Sequence, residues 1–470
     1  MQHARNAYPK EALMATAAVA DPAGADPGPG PRGPAVPSDV LRAALELYLD
    51  LHAHPELSGA ESRTAARFAD ALERAGCTVT RGVGGHGVVG VLTSAPSGDG
   101  DGNGDGRPPG PTVLLRAELD ALPVTENTGL AYASSVPGVM HACGHDLHLA
   151  ALYGAVAMLA ARRERWRGTV LVVGQPAEET LDGARAMLED GLYARFGVPD
   201  VVLAQHTAPL PAGTVAHGDG PVLAGSTALD VRIHGRGGHG GAPQLTVDPV
   251  VTAAAAVLRL QTVVSREAAP AEQAVLTVGA LHAGERANVV PESAALSVGL
   301  RAFSPGALAR METAVERIVR GECAAGGCPR EPEFAVAARS PVLQPDADLT
   351  TTLRGGHARL LGTERVLPWQ AGTAAEDFAW FGAAGADVHG AAGVRTAYWM
   401  LGVTGARTWR AAARAHADGA YGMRGEARGV PANHAPEFAP DVRVALPTGI
   451  AAMCDGAEAI LDVPEGETCR

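Results

Sequence analysis

Three stretches of this chain share the feature that most narrows its fold: an unbroken apolar, β-rich run that stops abruptly at acidic or histidine residues. They are TVLLRAELD (112–120), TVLVVGQPAEE (169–179) and VVLAQH (201–206). A strand with one wet face alternates apolar and polar residues, whereas a strand buried on both faces does not. Helix-like segments, HLAALYGAVAMLAARRERW (148–166) and GARAMLEDGLYARFG (183–197), separate the runs. The pattern predicts an α/β fold in which helices cover a central sheet. An open sheet of this kind binds ligands at the carboxyl ends of its strands, so the polar endings are expected to converge.

A chain of 470 residues exceeds one ordinary core and is expected to divide. Residues 1–37 end in DPAGADPGPGPRGPAVP, too rich in proline and glycine for helix or sheet, and read as a flexible leader. From residue 225 the character changes. TALDVRIHGRGG, AVLTVGALHAG and AALSVGLRAF read as strands, interleaved with the helical stretches VDPVVTAAAAVLRLQTVVS and PGALARMETAVERIVRGECAAG. The expected division is a catalytic domain over 38–224 and 338–470, with a smaller α+β domain inserted over 225–337. Ser58-Gly-Ala-Glu61 matches a capping box opening a helix that stops near Gly76. PSGDGDGNGDGRPPGP (96–111) imitates the start of a calcium loop through Asp99, Asp101 and Asn103. The closing carboxylate position is Gly110, so a flexible hairpin insertion is the better reading.

Composition removes several function classes. There are 38 basic against 51 acidic residues, a formal charge of -13, and no Lys/Arg cluster of the kind that neutralises phosphates, so nucleic acid is not expected as a partner. No apolar run approaches the ~18 residues that span a bilayer, so no membrane association is expected. ALMATAAVA (12–20) follows Glu11 and is dominated by alanine, which reads as a non-targeting extension. Six cysteines in 470 residues are too dilute for a disulfide scaffold, and a reducing cytoplasm is the expected compartment.

HACGHDLHLA (141–150) packs three of the chain's sixteen histidines beside a cysteine and an aspartate. Such a cluster can be a structural zinc clip, a catalytic metal site, or a thiol beside its base. A structural clip would want further thiolates in C-x2-C pairs, and none is present. Cys323 and Cys328 have the wrong spacing, lack a nearby histidine and read as structural. Glu178 and Glu179 follow an apolar run directly, so one carboxylate can bind a cation while its neighbour stays free as a base. With His206 and His434, the residues Cys143, His145 and Glu179 make five borderline ligands, which suits two divalent ions sharing a bridge better than one closed site.

The motifs LHAHPELSGAE, LRAELDALPVTENTGLAYAS, GVMHACGHDLH, QPAEE, GRGGHGGAP, RANVVPESA, GTAAEDFAWF, AYWMLGV and NHAPEF occur in an order and spacing similar to the M20 peptidase-like amidohydrolases. The chain most resembles the branch of auxin-conjugate hydrolases, hippurate hydrolases and N-acyl-amino-acid amidohydrolases, over roughly 40–450. This resemblance implies a metallopeptidase-like catalytic domain with a mixed central sheet flanked by helices, plus an inserted lid and dimerisation domain. It implies Cys143, His145, Glu179, His206 and His434 as ligands of two divalent ions drawn from Zn, Mn, Co or Ni. Glu178 would be the general base, passing a proton from a metal-activated water to the leaving amine. Asp120 and Asp146 would orient ligands. His239 and Asn288 would hold the substrate carbonyl and carboxylate, with Arg301 and Glu376 as further substrate contacts. The implied activity is hydrolysis of N-acylated amino acids or related small amides; the alternative is a metallo-exopeptidase. A homodimer through the inserted domain is expected by analogy. A thiol hydrolase built on Cys143 and His145, or a silent binding module, would leave Glu178, Glu179, His206 and His434 without roles. One departure, the long connection 404–432 before His434, bears on substrate choice.

Overall fold

The computed structural model describes residues 36–94, 110–417 and 429–461. The leader and the 96–111 insertion lie outside these residues apart from their last two positions, as does the middle of the 404–432 connection. The first half of the chain forms helices α1 (Ser38–Ala53), α2 (Ser62–Arg74), α3 (His145–Ala160), α4 (Gly183–Glu189) and α5 (Leu192–Phe196). Its strands are β1 (Thr78–Val83), β2 (Gly87–Thr93), β3 (Thr112–Glu118), β4 (Thr169–Gln175), β5 (Val201–Pro211) and β6 (Val215–Gly218). Next come β7 (Gly225–His234), β8 (Gly238–His239), α6 (Pro249–Thr262), β9 (Ala274–Ala283), β10 (Val289–Val290), β11 (Ser293–Ala302), α7 (Pro305–Ala325) and β12 (Glu333–Ser340). The chain then returns through α8 (Ala347–Leu361), β13 (Val366–Trp369), α9 (Ala386–His389), β14 (Arg395–Thr404), α10 (Ala406–Ala417) and α11 (Val442–Glu458).

The central sheet is mixed, in the order β1-β2-β4-β3-β5-β14-β6-β13. Its middle strands β4, β3, β5 and β14 run parallel, while β2 and β6 run antiparallel to them. The three unbroken apolar runs are three of these middle strands. Val170, Val172, Leu115 and Leu203 point into one core with α1, α2, α3, α8 and α11. Leu171, Val173, Leu114 and Val202 point into a second core on the opposite face, with α4. Burial on both faces is why these strands show no alternation.

The second sheet, in the order β12-β7-β11-β9, is antiparallel throughout and has a core of its own. Here the burial of β7 and β11 alternates, because one face packs on α6 and α7 and the other does not. Both helices begin by capping chemistry. Asp248 and Ser304 accept backbone N–H bonds from Val250 and Ala307, each followed by proline in the first turn.

Two local expectations are corrected. Ser58 and Glu61 do not form a capping box: the Ser58 hydroxyl donates to Asp120 at 2.7 Å, and Glu61 accepts from the Gly59 and Ala177 N–H groups. The start of α2 is capped from outside by Glu56, whose carboxylate accepts from the N–H groups of Arg63 and Thr64. Tertiary partners outbid the local pairing. The segment 183–197 forms two short helices rather than one, because the chain turns at Gly191 with φ 83°.

Beneath β6 and α8 lies a buried histidine pair. His217 Nε2–H donates to His357 Nδ1 at 2.9 Å, and His357 Nε2–H donates to the Ala452 carbonyl at 3.1 Å. Burial lowers His357 to about 4, and burial together with His357 lowers His217 to about 2. The unfolded chain takes up protons on these rings below pH ~6.5, while the folded protein does not, so stability is lost as pH falls through that value. Chemical denaturation at pH 7 and pH 5 is expected to show a loss of about 2 kcal/mol for each histidine. The double variant His217→Gln, His357→Gln should lose this pH-dependent component while retaining that of the remaining groups.

Candidate metal centre

The polar strand endings do converge, at the carboxyl edge of the parallel strands. Cys143 enters from the loop before α3 and His145 from the first position of α3, Glu178 and Glu179 from the turn after β4, and His206 from within β5. His434 comes from the loop before α11. Cys143 Sγ lies 3.4 Å from His206 Nε2. Glu179 Oε1 lies 3.4 Å from His434 Nε2 and 3.9 Å from His145 Nε2. Cys143, Glu179 and His434 offer ligand atoms within 4.8 Å of one another, as do His145, Glu178 and Glu179. The two sets share Glu179.

The backbone is bent to make this possible. Gly144 takes φ 83° with Thr207 so close that a Cβ would meet its Cγ2 at 2.8 Å, so the step between Cys143 and His145 requires glycine. Among the described residues, three that are not glycine hold positive φ: Ala177 (50°), Leu181 (62°) and His434 (70°). Two of them flank the glutamate pair and the third is itself a candidate ligand. Such strain persists only where surrounding bonds impose it. Here Ala177 N–H donates to Glu61, Glu179 N–H to Asp120 Oδ2 at 3.0 Å, and His434 N–H to the Ala142 carbonyl at 2.8 Å.

Supporting contacts also fix the imidazole tautomers. His145 Nδ1–H donates to the Asp120 carbonyl at 2.9 Å, and His206 Nδ1–H donates to the Thr207 carbonyl at 2.9 Å. In the neutral form that ligates a metal, both rings would therefore turn Nε2 toward the cluster. His145 Nε2 and Glu179 Oε1 are buried without a hydrogen-bond partner. Buried polar atoms left bare are costly, and a donor set of one thiolate, three imidazoles and carboxylate suits a borderline divalent cation. The residues present fit the implied metal.

Electrostatics agree. Burial alone would raise the Cys143 thiol, but His206 and His145 hold it well below the usual thiol range. The Cys143 thiolate and the Glu179 carboxylate raise His434 to about 10. Burial, then the carboxylates of Glu376 and Glu179, push Glu178 well above the usual carboxyl range. Glu178 lines the pocket, yet its carboxylate accepts no hydrogen bond among the described residues.

The other expected residues divide. Asp120 accepts the His145 Nδ1–H on its carbonyl at 2.9 Å and the Glu179 N–H on its carboxylate at 3.0 Å. Asp146 bonds His52 Nδ1 at 2.6 Å and accepts the Leu147 N–H in the first turn of α3 at 2.8 Å, with no hydrogen bond to a candidate ligand among the described residues. His148 lies within reach of His145, His206 and Glu118, but both its nitrogens are engaged, with Glu118 at 2.6 Å and the Thr207 N–H at 2.8 Å. Arg301 lines the pocket, donates to the Thr373 carbonyl at 2.7 Å and has no carboxylate partner among the described residues. Glu376 also lines the pocket, but its carboxylate is saturated by Arg116, the Tyr398 hydroxyl and the Phe378 N–H, so it faces the protein interior rather than a substrate. His239 and Asn288 meet on the exposed β8–β10 ribbon, where the Gly240 N–H donates to the Asn288 carbonyl at 2.8 Å. Neither lines the pocket of this chain; His239 Nδ1 accepts from the Gly241 N–H and caps a turn.

Sequence reasoning missed Arg116 and Glu118. Arg116 is fully buried in β3 and donates to Glu118, to Glu376 at 2.8 and 3.2 Å, to Asp377 at 3.0 Å and to Gln175 at 2.8 Å. The signal was present: a charge inside an apolar run has to be paired. Asn433 was also missed. Its amide donates to the Thr207 carbonyl at 3.2 Å and Thr207 Oγ1 at 3.1 Å, anchoring the loop that carries His434.

Residues 114–418 match the model of peptidase family M20/M25/M40. The chain belongs to this family. It is 34% identical to the N-acetylcysteine deacetylase of Bacillus subtilis over 317 residues, 67% of this chain and 79% of that protein. It is 33% identical to the IAA-amino acid hydrolase ILR1-like 4 of Arabidopsis thaliana over 335 residues, 70% of this chain and 72% of that one. Its structure resembles that of the Bacillus subtilis YXEP protein, described as a dinuclear metal binding peptidase from the M20 family. The TM-score is 0.66 at 25% identity, covering 90% of this chain and 99% of that one. This M20 chain is a metal-dependent hydrolase of amide bonds. No helix among the described residues is long and apolar enough to cross a membrane.

The buried Arg116 network supplies a test of the floor beneath this M20 site. Removing one partner of a buried ion pair typically costs about 3–5 kcal/mol, since the remaining charges are left uncompensated. Arg116→Met is expected to lower stability by that amount in urea titration, and an unchanged midpoint would show that the network carries no such weight.

Proposed function

We propose that this M20 hydrolase cleaves the amide bond of N-acylated amino acids or closely related small conjugates. The observation that carries the reading is the unlike state of two neighbouring carboxylates. Both line the pocket and approach His145 Nε2, Glu178 at 3.7 Å and Glu179 at 3.9 Å. Glu179 also lies 3.4 Å from His434 Nε2, whereas Glu178 is buried against the carboxylate of Glu376 and has its proton affinity raised well above the usual range. In this reading Cys143, His145, Glu179, His206 and His434 hold two divalent ions, of Zn, Mn, Co or Ni type. The bound ions supply Lewis-acid polarisation of the amide carbonyl and of the attacking water. Glu178 takes the proton from that water and returns it to the leaving nitrogen, a role favoured by its raised proton affinity. Arg301, half-buried and without a carboxylate of its own, receives the substrate carboxylate. The pocket, about 460 Å³, has an apolar wall of Leu181, Leu223, Trp369 and Met400 that suits an acyl group. The two curated relatives named above act by name on acyl amino acids of this kind. The alternative, a metallo-exopeptidase on small peptides, is supported by the peptidase description of the YXEP protein.

His239 and Asn288 fit this function from a second copy of the chain, docked through the inserted sheet. Leu245, Val251, Leu258, Val275, Leu281, Val289 and Val336 are exposed large hydrophobic residues on this layer. They suit association between copies and bring the β8–β10 ribbon within reach of a neighbouring pocket. The cytoplasm is the compartment that suits a hydrolase with free thiols.

Glu178→Gln is expected to retain bound metal by elemental analysis while losing about 10³-fold or more in kcat. Near-normal turnover in that variant would remove Glu178 from the mechanism. Exhaustive chelation should abolish hydrolysis of a panel of N-acyl amino acids and dipeptides, and readdition of divalent metal should restore it. Preference for the dipeptides would favour the exopeptidase alternative. Mixing His239→Ala with Glu178→Gln protein should restore part of the activity if His239 acts across a dimer; two inactive variants that stay inactive after subunit exchange exclude that arrangement.

A further inference from the structure

Two cysteines take no part in the metal centre. Cys323 and Cys328 lie at the carboxyl end of α7, remote in sequence from every candidate ligand, and both are free thiols. Their arrangement follows from how the helix ends. Gly327 takes φ 68°, its N–H donates to the Ala324 carbonyl at 3.2 Å, and the Cys328 N–H donates to the Cys323 carbonyl at 2.9 Å. This bond pair is a Schellman ending, which brings the side chain just past the left-handed glycine against one in the last helical turn. Here both side chains are cysteines.

The 2.9 Å backbone bond and standard peptide dimensions limit the Cα separation of the pair to about 6.8 Å. Disulfides span about 4.4–6.8 Å between Cα atoms. The Cys328 side chain packs against the buried cluster that contains Cys323. Cys323 is buried in the core of the inserted layer, and burial followed by the Cys328 thiol pushes it up to about 12. Cys328 is only partly buried and is the member open to a reagent. The loop between them is braced on both sides, since Arg320 pairs with Glu331 at 2.8 Å and stacks over Phe334.

We propose that Cys323 and Cys328 form a reversible thiol–disulfide modification site whose oxidant is a low-molecular-weight disulfide of the glutathione class. The Cys328 thiolate attacks one sulfur of oxidised glutathione, forming a mixed disulfide and expelling one glutathione thiolate. Cys323 then gives up its proton to that thiolate and attacks the Cys328 sulfur, breaking the mixed bond and expelling the second glutathione. The protein loses two electrons and two protons, and both pass to glutathione. A reducing dithiol runs the sequence backward.

The test uses the folded, metal-loaded full chain across a series of oxidised to reduced glutathione ratios. Remaining thiols are alkylated, and the digest is mapped by mass spectrometry. A linked Cys323–Cys328 peptide should accumulate with the ratio and disappear with dithiothreitol, while buried Cys77 and Cys454 stay protected until unfolding. Cys323→Ser should stop at a glutathione adduct on Cys328, and Cys328→Ser should yield no linkage. The proposal is overturned if both wild-type thiols remain free at the most oxidising ratio. It is equally overturned if the wild type halts at the mixed disulfide, or if the link forms only after denaturation.

Discussion

A single buried guanidinium organises the active edge of this molecule. Arg116 rises from the middle of β3 into a floor of carboxylates formed by Glu118, Glu376 and Asp377, all buried. Without a cation among them those groups would meet the full cost of burying like charges. With it they become a scaffold. Glu118 holds His148, which holds the Thr207 backbone next to His206; Asp377 holds Gln175 at the end of β4 and the Ala184 N–H at the start of α4. Glu376 in turn is fixed beside Glu178 and raises its proton affinity. The positions of ligand and base thus trace back to one charge.

Above this floor the chain adopts unfavourable conformations where function needs them. Ala177, Leu181 and His434 hold left-handed backbone; Glu61 and Ala142, distant along the chain, accept the N–H groups of Ala177 and His434, and Asp120 accepts that of Glu179 between Ala177 and Leu181. The arrangement brings two adjacent glutamates to the same pocket, 3.7 and 3.9 Å from His145 Nε2. Local strain held by tertiary bonds is the same relation seen at the start of α2, where Ser58 and Glu61 abandon a capping box to support this loop.

Much of this was legible in the sequence because its physical cause is local. Strands buried on both faces must be apolar throughout, so β3, β4 and β5 announced themselves. The carboxyl ends of parallel strands must gather polar residues, so Cys143, His145, Glu178, Glu179 and His206 could be named before their geometry was known. Arg116 and Glu118 were passed over because pairing is a property of space: Glu376 and Asp377 lie 260 and 261 residues away. The partners of Glu376, namely Arg116, the Tyr398 hydroxyl and the Phe378 N–H, were beyond reach for the same reason.

The sequence by itself determined the α/β class, the family and the residue types able to bind metal, because apolar periodicity and ligand chemistry are written residue by residue. Only the tertiary structure decided which ring nitrogens face the cluster, how the two glutamates share His145 and which ribbon lies outside the pocket. These depend on hydrogen bonds and burial that exist only once the chain has folded, and no spacing along the chain encodes them.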